Sequence, residues 1–221
     1  MSDTSTAAEL CDLYVDNVPV SGASITVFRN PGTQSTICTS NEIAAQLDEL
    51  QFDLGEGPRW EAARSGRPTG SDDVSSETHP DWPVFGRAAA ELGVGALFSF
   101  PIRIGTVLLG VADLYRLTPG ALDDAATSRA LSISHRVAVP AAETARRSAD
   151  SPLSEEGRTA PALRREVHQA TGMILVQLDV DADVAFGLLK AHAFAQSRSV
   201  EDVSHDVVAR RIDFRELTRE P

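Results

Sequence analysis

The repeat of apolar positions changes along the chain. Residues 7–17 place Leu10, Leu13 and Tyr14 at helical spacing. In GASITVFRN, Ala23, Ile25 and Val27 alternate with Ser24, Thr26 and Phe28, which predicts a strand, with STICTS a short partner across the PGTQ turn. GALFSFPIRIGTVLLGVADLYR holds two further β-rich runs that meet near Gly105 and Thr106, and Pro101 places the first at an edge or a bulge. Between these pairs, EIAAQLDELQ and PDWPVFGRAAAELG read as helices. Residues 122–145 read as a closing helix that Pro140 should kink or interrupt. Hairpins separated by helices predict an α+β fold, an antiparallel sheet covered by helices.

The pattern breaks at RRSADSPLSEEGRTAP, which is polar and carries two prolines and a glycine, so residues 148–160 read as a linker after a domain of residues 1–147. Residues 161–221 show no strand pattern. Leu163, Val167, Ala170, Ile174 and Leu178 form one helical stripe, and Ala185, Leu188, Leu189 and Ala193 form a second. Val200, Val203, Val207, Val208 and Ile212 form a third, opened by Ser199 at capping-box distance from Asp202. Together they predict a small all-α three-helix bundle. Its first stripe is longer than two short helices can cover, which predicts pairing of two chains along it. Phe214 and the arginine-rich end after it read as a fraying terminus.

With 221 residues, 42% apolar and 24% charged, the chain has material for one full domain and one small one. MSDTSTAAEL carries neither a basic nor an apolar leader pattern, and no run of apolar residues is long enough to span a bilayer. The expectation is a cytoplasmic protein with no membrane partner. The two cysteines, Cys11 and Cys38, then read as buried thiols in a reducing compartment. The net charge of -12 argues against broad attraction to nucleic acid. Residues 1–150 hold 11 basic and 20 acidic side chains and residues 151–221 hold 9 and 12, so nucleic-acid binding would need a small arginine patch. Arg164, Arg165, Lys190, Arg198, Arg210 and Arg211 are its candidates, or simply a solvated face.

Gly55-Glu56-Gly57 lacks the setting of a phosphate loop and reads as a tight turn into a helix at Pro58. Trp60, Trp82 and Phe85 could wall a sensing pocket or pack as core. His79, His135, His168, His192 and His205 form no metal-ligand spacing, and no catalytic triad or carboxylate pair is visible, so neither metal, cofactor nor enzymatic activity is expected. Gly172 interrupts a helix, which suggests close approach of another helix or stacking of an RNA base.

Residues 163–212 resemble the ANTAR domain, an RNA-binding module of bacterial transcription antiterminators. The resemblance rests on EVHQATGMILVQL, DVAFGLLKAHA and SRSVEDVSHDVV, in that order. Val167, Gln169, Ala170, Gly172 and Met173 carry the first helix's motif; Thr171 stands where the family often has Lys, which removes a cation from a phosphate-facing surface, and Ser197 and Ser204 also depart from the pattern. The first domain resembles the GAF domain through LDELQFDLGEGPRWEAARSGRP, WPVFGRAAAELGVGALFSFPIRIG and LLGVADLYR, with Arg59 where relatives often have Cys.

This resemblance implies a six-stranded sheet, sensing of an unknown small molecule or signalling protein, and output through the C-terminal helix. It implies a signal-responsive homodimer that binds an RNA stem-loop in a nascent transcript through Arg164, Arg165, Thr171, Lys190 and Arg198. A sensor with a protein-docking or DNA-binding three-helix tail is the alternative.

Overall fold

The computed structural model describes residues 6–30, 33–75, 79–150, 160–196 and 198–217; within them, the side chains of residues 29, 30, 33, 148–150, 160–165, 168 and 183 lie outside the description. One compact unit is built from α1 (Ala7–Asn17), β1 (Gly22–Asn30), β2 (Thr33–Thr39), α2 (Glu42–Leu54), α3 (Pro58–Ser65), β3 (Thr69–Ser71), α4 (Pro83–Glu91), β4 (Ala96–Ile104), β5 (Val107–Arg116) and α5 (Asp124–Asp150). A second holds α6 (Ala160–Leu178), α7 (Ala182–Ala195), α8 (Val200–Val208) and α9 (Phe214–Leu217). Most of the expected linker, residues 151–159, lies outside the described residues.

The sheet runs in the order β2-β1-β5-β4-β3, and β5 pairs antiparallel with both β1 and β4. Five strands are described, not the six expected. Ala23, Ile25 and Val27 of β1, Phe98, Phe100 and Ile102 of β4, and Ala112 and Leu114 of β5 pack against α1 and α5. The other face is equally covered. Leu97 and Tyr115 join Ala44 and Leu47 of α2, Phe85 and Ala89 of α4, and Trp82 just ahead of α4 in a second core. Ser24 and Thr26, which alternation places on a polar face, are therefore buried.

Pro101 is accommodated because β3 is only three residues long and ends opposite Ser99, so no strand of the described sheet flanks Pro101 on that side. A register shift follows between Ile102 and Arg103. Pro140 does not interrupt α5. Its missing N–H leaves the carbonyl of Arg136 without a helical partner, and Arg136 is exposed, so water can take that bond.

Cys11 and Cys38 are not free thiols. The inner face of α1 and strand β2 meet in the same core, their Cα atoms are 6.1 Å apart, and the two sulfurs form a disulfide. Closing a separation of 27 residues limits the unfolded chain and, in the chain-entropy account, stabilises by roughly 3–4 kcal/mol.

In the second unit, Val167, Ala170 and Ile174 of α6 are fully covered by Ala185, Leu189 and Ala193 of α7 and by Val200, Val203 and Val207 of α8. Asp181 and Ser199 cap α7 and α8, accepting from the backbone N–H of Val184 at 2.9 Å and of Asp202 at 3.0 Å. Phe214 does not fray. It is buried, edge-on to His192 with centroids 5.3 Å apart, and its backbone N–H donates to Gln177 Oε1 at 3.1 Å. Leu163 lies outside the described side chains and Leu178 is half-buried, but Val167, Ala170 and Ile174, the middle of the stripe, are covered within one chain and supply no reason for pairing.

Gly110 of β5 tests the closeness of the β1–β5 pair, because a Cβ there would lie 2.0 Å from the carbonyl oxygen of Thr26. Gly110→Ala is expected to lower stability by at least about 1–3 kcal/mol, the usual range for overpacking, in denaturant unfolding; an unchanged midpoint would contradict this packing.

Candidate functional site

Arg59 organises the interior of the first unit. Gly55 ends α2 in the left-handed region and Gly57 (φ 115°) leads into Pro58, the first residue of α3. A Cβ on Gly57 would lie 2.5 Å from Gln51 Oε1, the atom that accepts the Arg59 backbone N–H at 3.0 Å. Between them, the Glu56 carboxylate accepts from the N–H groups of Val84 and Phe85 at 2.9 and 3.0 Å and closes the start of α4. The GEGP turn is thus a joint for three helices.

From this turn the Arg59 side chain enters the sheet, where it is completely buried. Nε donates to Asp113 Oδ2 at 2.7 Å and Nη2 to Asp48 Oδ1 at 2.5 Å. Asp48 also accepts from Thr26 Oγ1 at 2.8 Å and Thr36 Oγ1 at 2.6 Å, and Asp113 from Ser99 Oγ at 2.5 Å. Register explains the gathering, since Ser24 and Ser99 sit directly opposite Asp113 on the two neighbouring strands. Burial alone would lower the pKa of the guanidinium, but attraction to Asp113 and Asp48 and their hydrogen bonds outweigh it and raise the value above the ordinary one. One cation thus stands between two carboxylates, and the hydroxyls of Thr26, Thr36 and Ser99 stabilise the second negative charge. Arg59 Nη1 and Gln51 Nε2 are buried without a protein partner. A small cavity lined by Gln51, Ser99, Asp113 and Tyr115 measures about 10 Å³, room for one water.

The aromatic residues separate. Trp82 and Phe85 lie 5.7 Å apart within the α4-side core, and His79 stacks on Trp82 at 3.7 Å. Trp60 instead faces Phe28 at 6.1 Å and donates from Nε1 to the carbonyl of Gln51 at 2.8 Å. The buried Arg59 cluster was missed by sequence reading. Its signal was a polar residue inside each long strand's apolar run, Ser24, Ser99 and Asp113.

In the second unit, Arg164 and Arg165 belong to α6 but their side chains lie outside the described ones. Thr171 bonds back to the carbonyl of Val167 at 2.8 Å. Lys190 sits 5.0 Å over the ring of Phe186. Arg198 is engaged within the fold, with Nη2 2.6 Å from Asp206 Oδ2 and donating to the carbonyl of Asp202 at 3.2 Å. Arg211 holds the other oxygen of Asp206 at 2.5 Å, and the hydrogen bonds from Arg198 and Arg211 push the Asp206 pKa down. Gly172 is exposed on α6 with nothing within 4 Å of where a Cβ would stand, so no helix of the described unit approaches it. Gly187 of α7 is equally bare. Among the described residues no group of acidic, histidine or cysteine side chains could hold a metal ion.

Comparison with known proteins agrees with this division. Residues 2–139 match the family model of the GAF domain and residues 155–208 that of the ANTAR domain. The first unit resembles a type II free methionine-R-sulfoxide reductase from Thermoplasma acidophilum (TM-score 0.51, 17% identity, 62% of this chain and 90% of that one). It is equally similar to the GAF domain region of a Geobacter sulfurreducens PCA protein (TM-score 0.51, 17% identity, 62% and 90%). At that identity the likeness concerns the fold. No curated protein matches the chain in sequence.

Arg59→Ala would leave Asp48 and Asp113 buried without their cation and is expected to destabilise the protein by about 3–5 kcal/mol in denaturant unfolding; a loss under 1 kcal/mol would contradict the charge arrangement. The second unit should respond to pH through His192. Burial, and then the charge of Arg198, lower its pKa below the ordinary 6.5, so the unfolded chain takes up the proton first. Stability is expected to fall as pH drops below about 6.5, levelling once the folded-state value is passed, and His192→Gln should flatten that limb in thermal unfolding across pH.

Proposed function

Because the chain belongs to the GAF domain family and carries an ANTAR domain behind its sensor fold, we propose that it is a signal-responsive transcription antiterminator that binds stem-loops in nascent RNA. The observation that carries this reading is the ANTAR match itself, which spans helices α6, α7 and α8. ANTAR domains are RNA-binding antiterminator output domains and GAF domains are sensors, so the chain works by regulation and not by catalysis. Residues 1–147 sense, residues 161–221 bind RNA and residues 148–160 join them. The site of action is the cytoplasm, where transcripts are made; no described helix is long and apolar enough to cross a membrane.

RNA suits a unit with modest charge because loops present unstacked bases as well as phosphates. Arg164 and Arg165 of α6 and Lys190 of α7, with Thr171 about two turns further along α6, supply the phosphate contacts. Exposed Gly172 lets a ligand approach the backbone of α6 more closely than any side chain would allow. The active form is a homodimer, and since the middle of the α6 stripe is covered, the most exposed apolar side chains of the unit, Val176 (78%) and Phe194 (69%), offer surface to a second copy. The engagement of Arg198 and Arg211 by Asp206 favours a second reading, docking to a protein partner, over binding to duplex DNA.

Binding of a stem-loop RNA, measured over a salt series, separates these readings. Arg164→Ala with Arg165→Ala should weaken RNA binding and lower the slope of log affinity against log salt by up to about 1.4, at roughly 0.7 per single-strand contact. Gly172→Ala should raise stability by about 1 kcal/mol, as it improves helix propensity and meets no neighbour, while weakening RNA binding. No RNA binding by the parent as a dimer, with the sensor domain present or deleted, would favour the protein-docking reading.

A further inference from the structure

The disulfide ties α1 to β2 at the edge of the sheet, in the core that α5 also covers. The chain contains two cysteines, and both are in this bond. Cys11 lies on the inner face of α1 between Leu10 and Tyr14, fully buried; Cys38 is the penultimate residue of β2, the edge strand, and is 9% exposed. One turn further along the same inner face, α1 is fixed to α5: the Tyr14 hydroxyl and Ser134 Oγ share a buried hydrogen bond of 2.9 Å, and Arg129 Nε donates to the carbonyl of Asn17 at 3.0 Å. Helix α1 is therefore held between a covalent bond to the sheet and polar bonds to the last helix of the unit. On the opposite face of the sheet, Arg59 and its partners occupy the interior, and the small cavity there admits only about one water.

We propose that Cys11 and Cys38 are a reversible redox modification site through which the first unit changes the packing of α1 on α5. This rests on reading that unit as a sensor. In the reducing direction, a thiolate of a small or protein dithiol attacks Sγ of Cys38, the less buried of the two residues, and Cys11 leaves as thiolate and is protonated. The second thiol of the reductant then displaces Cys38 from the mixed disulfide. Two electrons and two protons pass from the dithiol, which becomes a disulfide, to Cys11 and Cys38, which become thiols. A disulfide oxidant runs the same exchange backwards. The edge position of β2 makes this exchange feasible, because the end of an edge strand can open without unfolding the sheet. With the bond broken, α1 keeps its contacts to α5 but loses its anchor on β2, and the Tyr14–Ser134 pair becomes free to separate.

The test uses the full chain equilibrated in glutathione buffers of graded oxidised-to-reduced ratio, with thiol alkylation read by mass spectrometry and amide exchange read by segment. Oxidised protein is expected to resist alkylation at both cysteines and to protect α1 and the first half of α5. Reduction should expose both thiols together and speed exchange in those two segments by about tenfold or more, while β4 and β5 stay protected. Oxidised glutathione should restore the original pattern. The double variant Cys11→Ser, Cys38→Ser should exchange like reduced protein and ignore the buffer. The proposal is overturned if α5 exchanges equally in both states, if both thiols stay free in the oxidising buffer, or if the bond is reduced only when all strands lose protection at once. None of these readouts uses RNA, so a failure here and a failure of the antitermination reading are distinguishable.

Discussion

A guanidinium buried in the protein must be met by opposite charge, and Arg59 sets that condition for the whole first unit. Its two carboxylate partners come from different elements, Asp48 from α2 and Asp113 from β5, and their remaining lone pairs need Thr26, Thr36 and Ser99. The strands must pair in the register that brings Ser24 and Ser99 to Asp113, because a slip by one residue would turn Asp113 toward α1 and α5. The GEGP turn has the same dependence. Gln51 receives the backbone N–H of Arg59 only because Gly57 leaves room for it, and Glu56 fixes α4 to the same joint. A buried charge network contributes little net stability compared with an apolar core, but it excludes alternative packings, and that specificity is its structural value here.

The second unit follows the opposite logic. Its core is built mostly from small and β-branched apolar residues, with Leu189 and Phe214 among them, and its ion pairs lie at the surface, where Asp206 draws Arg198 and Arg211 together. Helix propensity is given up at Gly172 and Gly187 with no packing return inside the unit, since neither faces a neighbour. A sequence that accepts such losses on an exposed face is organised for something outside itself. The first unit locates its unusual residues in the interior, the second on its surface, in keeping with a sensor fold and a binding module.

Periodicity made the elements legible: α1, β1, the β4–β5 hairpin and helices α6 to α8 all follow the expected runs, with Asp181 and Ser199 at the helix starts. Burial on both faces of the sheet was not legible, because Ser24 and Thr26 alternate with apolar residues just as solvent-facing residues do, and only the covering helices distinguish the two cases. The cysteine pairing was hidden for a related reason. Two cysteines 27 residues apart meet only through the way α1 crosses the sheet, which no local pattern encodes. Phe214 was misread because four residues of helix carry too little pattern to show that the chain folds back to Gln177 and His192. Of the residues singled out for function, Trp82 and Phe85 proved to share one core while Trp60 belongs to the Arg59 turn, a division fixed by distances that spacing along the chain does not contain.

Helix α5 has a mechanical character that follows from Pro140. A long helix resists bending because every turn is tied to the next, and here one tie, between residues 136 and 140, is absent. The rod therefore has a single soft point on one side, and its compliance is directional. Pro140 lies ten residues before the helix end at Asp150, an arm of roughly 15 Å at 1.5 Å per residue. A flexure of only about 5° at the soft point would sweep that end through roughly 1.3 Å, a lateral stroke as large as the helix shifts that switch many regulatory proteins.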